Sequence, residues 1–84
     1  MNILFTDKAW DDYQYWVVND SSMIKRVNRL IDDIRRTPFT GIGKPEALKH
    51  QLAGYWSRRI TDEHRLVYAA EENQVVIITA RHHY

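Results

Sequence analysis

The sequence predicts an α+β fold: a short N-terminal strand and an antiparallel helical hairpin packed on one face of a mainly antiparallel sheet of four to five strands. Three observations lead there. Apolar residues recur with the 3.6-residue period of a helix through the first part of the chain. They alternate with period two beyond the Gly- and Pro-containing stretch at positions 39–45. The connections between the alternating segments are short, as in an antiparallel meander.

Taken in order, Ile3-Leu4-Phe5 reads as the first strand, and Thr6 or Asp7 as the cap of a helix. Trp10, Tyr13 and Val17, with Trp16 beside them, predict one face of that helix, and Asp7, Asp11 and Asp12 suit the positive end of its dipole. Asn19-Asp20-Ser21-Ser22 interrupts the pattern and recaps it. Ile24, Val27, Leu30, Ile31 and Ile34 form the stripe of a second helix, which Pro38 ends by pushing Thr37 toward extended geometry. So short a link makes the two helices an antiparallel hairpin. After the loop Phe39-Thr40-Gly41-Ile42-Gly43-Lys44-Pro45, strands are expected at Leu48 to His50, Tyr55 to Thr61, Arg65 to Ala70 and Gln74 to Arg81, with a turn at Glu71-Glu72-Asn73. With 84 residues the chain is expected to be one domain, 1–84.

Composition narrows the chemistry. There is no cysteine, so disulfides and thiolate–metal sites are excluded. No segment approaches the ~20 apolar residues of a membrane helix. The N-terminal residues lack the charged and long apolar regions of a signal peptide, so no membrane association and a cytoplasmic location are expected. Net charge is +1, but Lys44, Lys49, Arg58, Arg59 and Arg65 gather in one segment, which fits a polyanion on one face as well as an ordinary solvated surface.

Alternation assigns faces. Leu66 and Tyr68 are expected toward the helices, with Arg65, Val67 and Ala69 on the open side. In the last strand Val76, Ile78 and Ala80 are expected inward and Ile77, Thr79, Arg81 and His83 outward, so that Arg65 and His83 share the open face. Arg59 joins them only if Trp56, Arg58 and Ile60 point inward, an awkward direction for Arg58. Glu46, Lys49 and His50 lie where they can reach the same surface. A carboxylate base, an imidazole acid and a guanidinium clamp would together serve phosphoryl transfer without a metal or other cofactor. The same residues also read simply as solvent-facing strand positions. A metal site built from His50, His64, His82 and His83 is disfavoured, because neighbours on a strand point to opposite faces. Trp10, Tyr13 and Trp16 could stack bases, but aromatics at helical spacing are more often core.

The segments "GKPEALKH", "YWSRRI" and "EHRLVY", in that order, with "AWDDYQYW" and "RRTPF" before them and "ARHHY" after, resemble the YoeB toxins of the RelE-like superfamily nearly end to end. The resemblance implies a RelE-like domain related in its catalytic set to small microbial ribonucleases. It implies a ribosome-dependent endoribonuclease that cleaves mRNA in the A site of the 70S ribosome and inhibits translation. A cognate YefM-type antitoxin would restrain it, and a homodimer is admitted. Carried over residue by residue, Glu46 is the general base, Arg65 stabilises the phosphate, His83 is the general acid and Tyr84 belongs to the same site. Lys49 and Arg59 match RNA-binding positions. The chain departs from the commoner Arg-Tyr-His-Tyr ending by carrying His82. The alternative is a non-catalytic RNA- or protein-binding module of the same fold. Glu46 argues against it, since a carboxylate repels phosphate.

Overall fold

The computed structural model describes residues 1–82. The chain runs β1 (Asn2–Phe5), α1 (Asp7–Asn19), α2 (Ser21–Arg36), β2 (Glu46–Ala47), one 3-10 turn at His50–Leu52, β3 (Trp56–Arg59), β4 (Arg65–Ala70) and β5 (Gln74–Thr79). The strands form one sheet in the order β1-β5-β4-β3-β2. From β2 to β5 the sheet is an antiparallel meander, and β1 closes its edge parallel to β5. The expected α+β architecture is the one observed. Among the described residues no helix is long and apolar enough to cross a membrane.

Capping chemistry fixes the helical hairpin. Thr6 accepts from the Ala9 N–H at 3.1 Å, and its hydroxyl donates to Ile78 O at 2.9 Å, which ties the start of α1 to β5. Asp20 serves both helices. Its own N–H closes α1 on Trp16 O at 2.9 Å, and its carboxylate accepts from the Ser22 and Met23 N–H groups at the start of α2. The bond from the Ser22 hydroxyl holds that carboxyl below the usual carboxylate range.

The apolar stripe of α2 supplies Val27, Leu30, Ile31 and Ile34 to the core, where Ile60, Leu66, Tyr68, Val75 and Ile77 of the sheet side meet them. α1 is rotated from the expected face. Ala9, Asp12 and Trp16 are its buried residues, whereas Trp10 and Val17 are each 49% exposed. Trp10 packs at the rim, edge-on to Phe5 and stacked on Tyr13. Counting apolar residues hides the reason: Asp12 and Trp16 turn inward to bond the backbone of Ala80.

Two strand expectations are corrected. β2 is Glu46–Ala47, not Leu48 to His50. Leu48 still bonds Tyr55 O through its N–H, but His50 takes a left-handed conformation (φ 59°), which ends the extended run and opens the 3-10 turn. In β5, Val75 and Ile77 face the core, not Val76 and Ile78. Tyr68 pairs with Ile77 but Val67 pairs with Thr79, so Ile78 is an extra residue in a β-bulge. The bulge resets the alternation, so parity cannot be carried across Ile78 from Val76 to Ala80; Ala80 is buried as expected.

Candidate active site

The open face is defined by the cross-strand pairs. Glu46 pairs with Ser57, Ser57 with Val67, Val67 with Thr79, and Arg59 with Arg65. Directly opposite residues share a face, and so do residues two apart on one strand. Glu46, Ser57, Arg59 and Arg65 therefore lie on one surface, opposite the core-facing Trp56, Leu66 and Tyr68. Glu46 and Arg65 stand two strands and two residues apart, roughly 12 Å between Cα atoms by ordinary sheet spacings. Two long side chains can approach a phosphodiester from its two sides across that gap.

Glu46 is exposed at the sheet edge. Lys44 before it has a left-handed backbone (φ 52°), and Pro45 follows, so the chain turns sharply into this two-residue strand. Glu46, Ala47, Leu48, Lys49 and His50 line a concavity of about 400 Å³. Lys49 thus flanks the carboxylate that the sequence singles out. The Arg65 Nη1 donates to Ser57 Oγ at 3.2 Å. Ser57 is wholly buried and steadies the guanidinium from the neighbouring strand. Sequence reasoning passed over Ser57; its parity with Arg59, two residues on, was the available signal. Arg59 is half-buried and reaches Asp62 at 3.5 Å.

Arg58 does not belong to this surface. It is fully buried, and its guanidinium donates to Asp33, to the carbonyls of Thr37, Thr40 and Ile42, and through Nε to the Tyr68 hydroxyl. The basic segment read from the sequence therefore presents Lys49, Arg59 and Arg65 outward, and Arg58 holds the loop that leads to Glu46.

The chain beyond β5 is held by α1 and by the β3–β4 turn. The Ala80 N–H donates to Asp12 Oδ2 at 3.0 Å, and the Trp16 indole donates to Ala80 O at 2.8 Å. Arg81 turns toward α1, its guanidinium 3.4 Å from the centre of the Tyr15 ring, and does not point with Arg65 as alternation suggested. His82 is left-handed (φ 66°) and exposed; its carbonyl accepts from the Arg65 N–H at 3.0 Å, and its N–H donates to His64 Nδ1 at 2.8 Å. The alternation used to bring His83 to the face of Arg65 thus stops at Thr79. The roles expected of His83 and Tyr84 fall outside the described residues. Among the described residues, no three His, Asp or Glu side chains gather as ligands for a metal.

Residues 5–84 match the family described as YoeB-like toxin of bacterial type II toxin–antitoxin system. Toxin YoeB of Streptomyces coelicolor is 57% identical over 84 residues, with all of both chains covered. The solved YoeB/ParE toxin from Agrobacterium tumefaciens is 48% identical over the whole of both chains, with a TM-score of 0.96. YoeB from Staphylococcus aureus has been solved as a dimer and as a heterotetrameric complex with YefM. Both structures are 47% identical, with a TM-score of 0.93, and cover 100% of this chain and 98% of that one.

Proposed function

The chain belongs to the YoeB-like toxins of bacterial type II toxin–antitoxin systems, and from that premise we propose that it is a ribosome-dependent endoribonuclease that cleaves mRNA in the ribosomal A site. Glu46 takes the proton of a ribose 2′-hydroxyl. The 2′-oxygen attacks the adjacent phosphorus, and Arg65 stabilises the charge that gathers on the phosphoryl oxygens. Protonated His83 gives its proton to the departing 5′-oxygen, and Tyr84 is assigned to the same site on the family resemblance alone. The products are a 2′,3′-cyclic phosphate, or the 3′-phosphate after its hydrolysis, and a 5′-hydroxyl. These side chains account for every proton moved.

The observation that carries this reading is the register Glu46–Ser57 with Arg59–Arg65, which sets a carboxylate and two guanidinium groups on one solvent-facing surface. Toeprinting of a translated message tests it. Cleavage confined to the A site supports the proposal; intact message in the presence of folded protein refutes it.

Lys49 and Arg59 are read as phosphate contacts. Each, changed to alanine, is expected to weaken binding to message-programmed ribosomes and to lower the slope of log affinity against log salt by about 0.7, as for one lost single-strand contact. A salt titration of binding checks this; an unchanged slope removes the residue from the RNA surface.

The antitoxin in this reading is a YefM-type protein, the partner with which S. aureus YoeB was solved. An acidic segment that folds over Lys49, Arg59 and Arg65 would exclude message from the same face. Competition between antitoxin and ribosome is the expected result, and simultaneous binding with retained cleavage would contradict it.

A further inference from the structure

We propose that His64 is a positioning residue for the proposed reaction, and that its neutral imidazole holds the backbone at His82, the residue before the general acid, while its protonated form lets go. The inference rests on the nuclease reading for its catalytic consequence, and on geometry alone for the hold itself.

An amide N–H can only donate a hydrogen bond. The 2.8 Å contact from the His82 N–H therefore requires a lone pair on His64 Nδ1, and the neutral ring carries its proton on Nε2. That nitrogen lies 4.0 Å from the carboxylate of Glu63. The ring itself is well fixed. Its side chain is 15% exposed and meets the Trp16 indole edge-on at 4.9 Å. Its backbone carbonyl accepts from Ile60 and Thr61, and its N–H donates to Thr61 Oγ1.

His82 needs such a hold. A left-handed backbone is unfavourable for a residue with a side chain and persists where its surroundings enforce it. Two bonds enforce it here, one from the Arg65 N–H and one to His64. The first is between backbone groups and does not titrate. The second does. Protonation turns Nδ1 into a donor that faces another donor. Among the described residues, the charged and titratable groups around the ring include Glu63 on the same turn, the His82 ring at 5.5 Å, Arg65 next along β4, and, beyond Trp16 on the α1 side, Arg81 and the Lys8–Asp12 pair. Among the described residues, Glu63 faces Nε2 at 4.0 Å from a side chain that is 87% exposed. Asp12 is occupied by Lys8 and by the Ala80 N–H.

The consequence is a loss of cleavage on the acid side that arises from geometry. A general acid such as His83 gives the opposite limb, because it must be protonated to act. The test is single-turnover cleavage of ribosome-bound message between pH 5.5 and 8.5 by wild type, His64→Ala and His64→Asn. It is paired with imidazole nitrogen-15 spectra and amide exchange of the free protein. Asparagine places a non-titrating acceptor oxygen close to where Nδ1 sits. Wild type is expected to carry its ring proton on Nε2 at pH 8 and to lose cleavage as the ring protonates. His64→Ala should cleave about tenfold more slowly at pH 7.5, the upper end of the worth of one hydrogen bond, with ribosome binding unchanged. His64→Asn should recover most of that loss and lack the acid limb. The proposal is overturned if the proton sits on Nδ1 at pH 8, if His64→Ala cleaves as wild type does, or if His64→Asn keeps the acid limb. If wild-type protein itself fails to cleave, the nuclease reading falls separately. The hold on His82 is then judged by exchange, and a His82 amide equally protected in His64→Ala overturns it.

Discussion

Replacing Glu46 with glutamine is expected to slow single-turnover cleavage of ribosome-bound message by about 10²–10⁴-fold, the usual worth of general acid–base catalysis. Glutamine keeps the shape and removes the base. The fold should be untouched, because Glu46 is exposed on a two-residue strand at the sheet edge. His83→Gln should lose cleavage to a similar degree. The two losses should not add, since both groups serve one concerted proton transfer. Ribosome binding should survive in each variant, and circular dichroism should be unchanged. His82→Gln provides the control that strand alternation no longer supplies. If it abolishes cleavage while His83→Gln leaves it intact, the acid is His82. If Glu46→Gln cleaves like wild type, the base is elsewhere and the proposed mechanism fails.

What the sequence made legible, and what it concealed, divides along physical lines. The helical hairpin could be read because Thr6, Asp20 and Pro38 are local signals, and α2 carries a clean apolar stripe. The meander could be read because short turns leave few alternatives. The outward face of Arg65, and of Arg59 once Arg58 is turned inward, followed from period-two alternation where the strands are regular, whereas Glu46 was only placed within reach of it, because its strand was expected at Leu48 to His50. Alternation failed at Ile78, because a bulge depends on the pairing partner and leaves no mark in a run of Val and Ile. The face of α1 was misread because Asp12 looks like a solvent residue until the backbone of Ala80 is brought to it from 68 positions away. His64 was visible only as a candidate metal ligand, since its partner is a backbone N–H at His82. Arg58 gave one hint, the conflict between its charge and its inward parity.

That conflict leads to the largest expected effect on stability. Arg58→Met should destabilise the protein by about 3–5 kcal/mol, as removal of one member of a buried ion pair does. The guanidinium is 0% exposed, and each of its nitrogens is satisfied: Nη2 donates to Thr37 O at 2.6 Å and Thr40 O at 2.9 Å, Nη1 to Ile42 O at 3.1 Å and to Asp33, and Nε to the Tyr68 hydroxyl at 3.2 Å. The Tyr68 hydroxyl in turn donates to Pro38 O at 2.6 Å. Burial pushes that phenol's pKa up, so it remains the neutral donor this bond needs. Methionine fills much of the volume but leaves the carbonyls of Thr37 and Ile42 without this donor, and takes one donor from Thr40 O and one from Asp33, which keep the Thr37 hydroxyl and the Ile42 N–H. There is no slack in the loop to compensate. A methyl group at Gly41 would sit 2.0 Å from Asp33 Oδ2, and one at Gly43 would sit 2.6 Å from Leu30 Cδ2. The pH dependence follows from Asp33, whose carboxyl the Arg58 hydrogen bond, and then the Ile42 N–H, hold below the ordinary range. A depressed carboxyl stabilises the fold fully above its unfolded pKa, and that contribution fades as pH falls toward the folded value. Urea unfolding at pH 7 and at pH 3 measures both parts. The wild-type midpoint should drop with acid, and Arg58→Met should start lower and drop less. Because residues 37–42 lead directly into Glu46, the variant should also cleave poorly at temperatures where it remains folded. An unfolding free energy at pH 7 within about 1 kcal/mol of wild type, below the range for breaking a buried pair, would show that Arg58 does not anchor the loop.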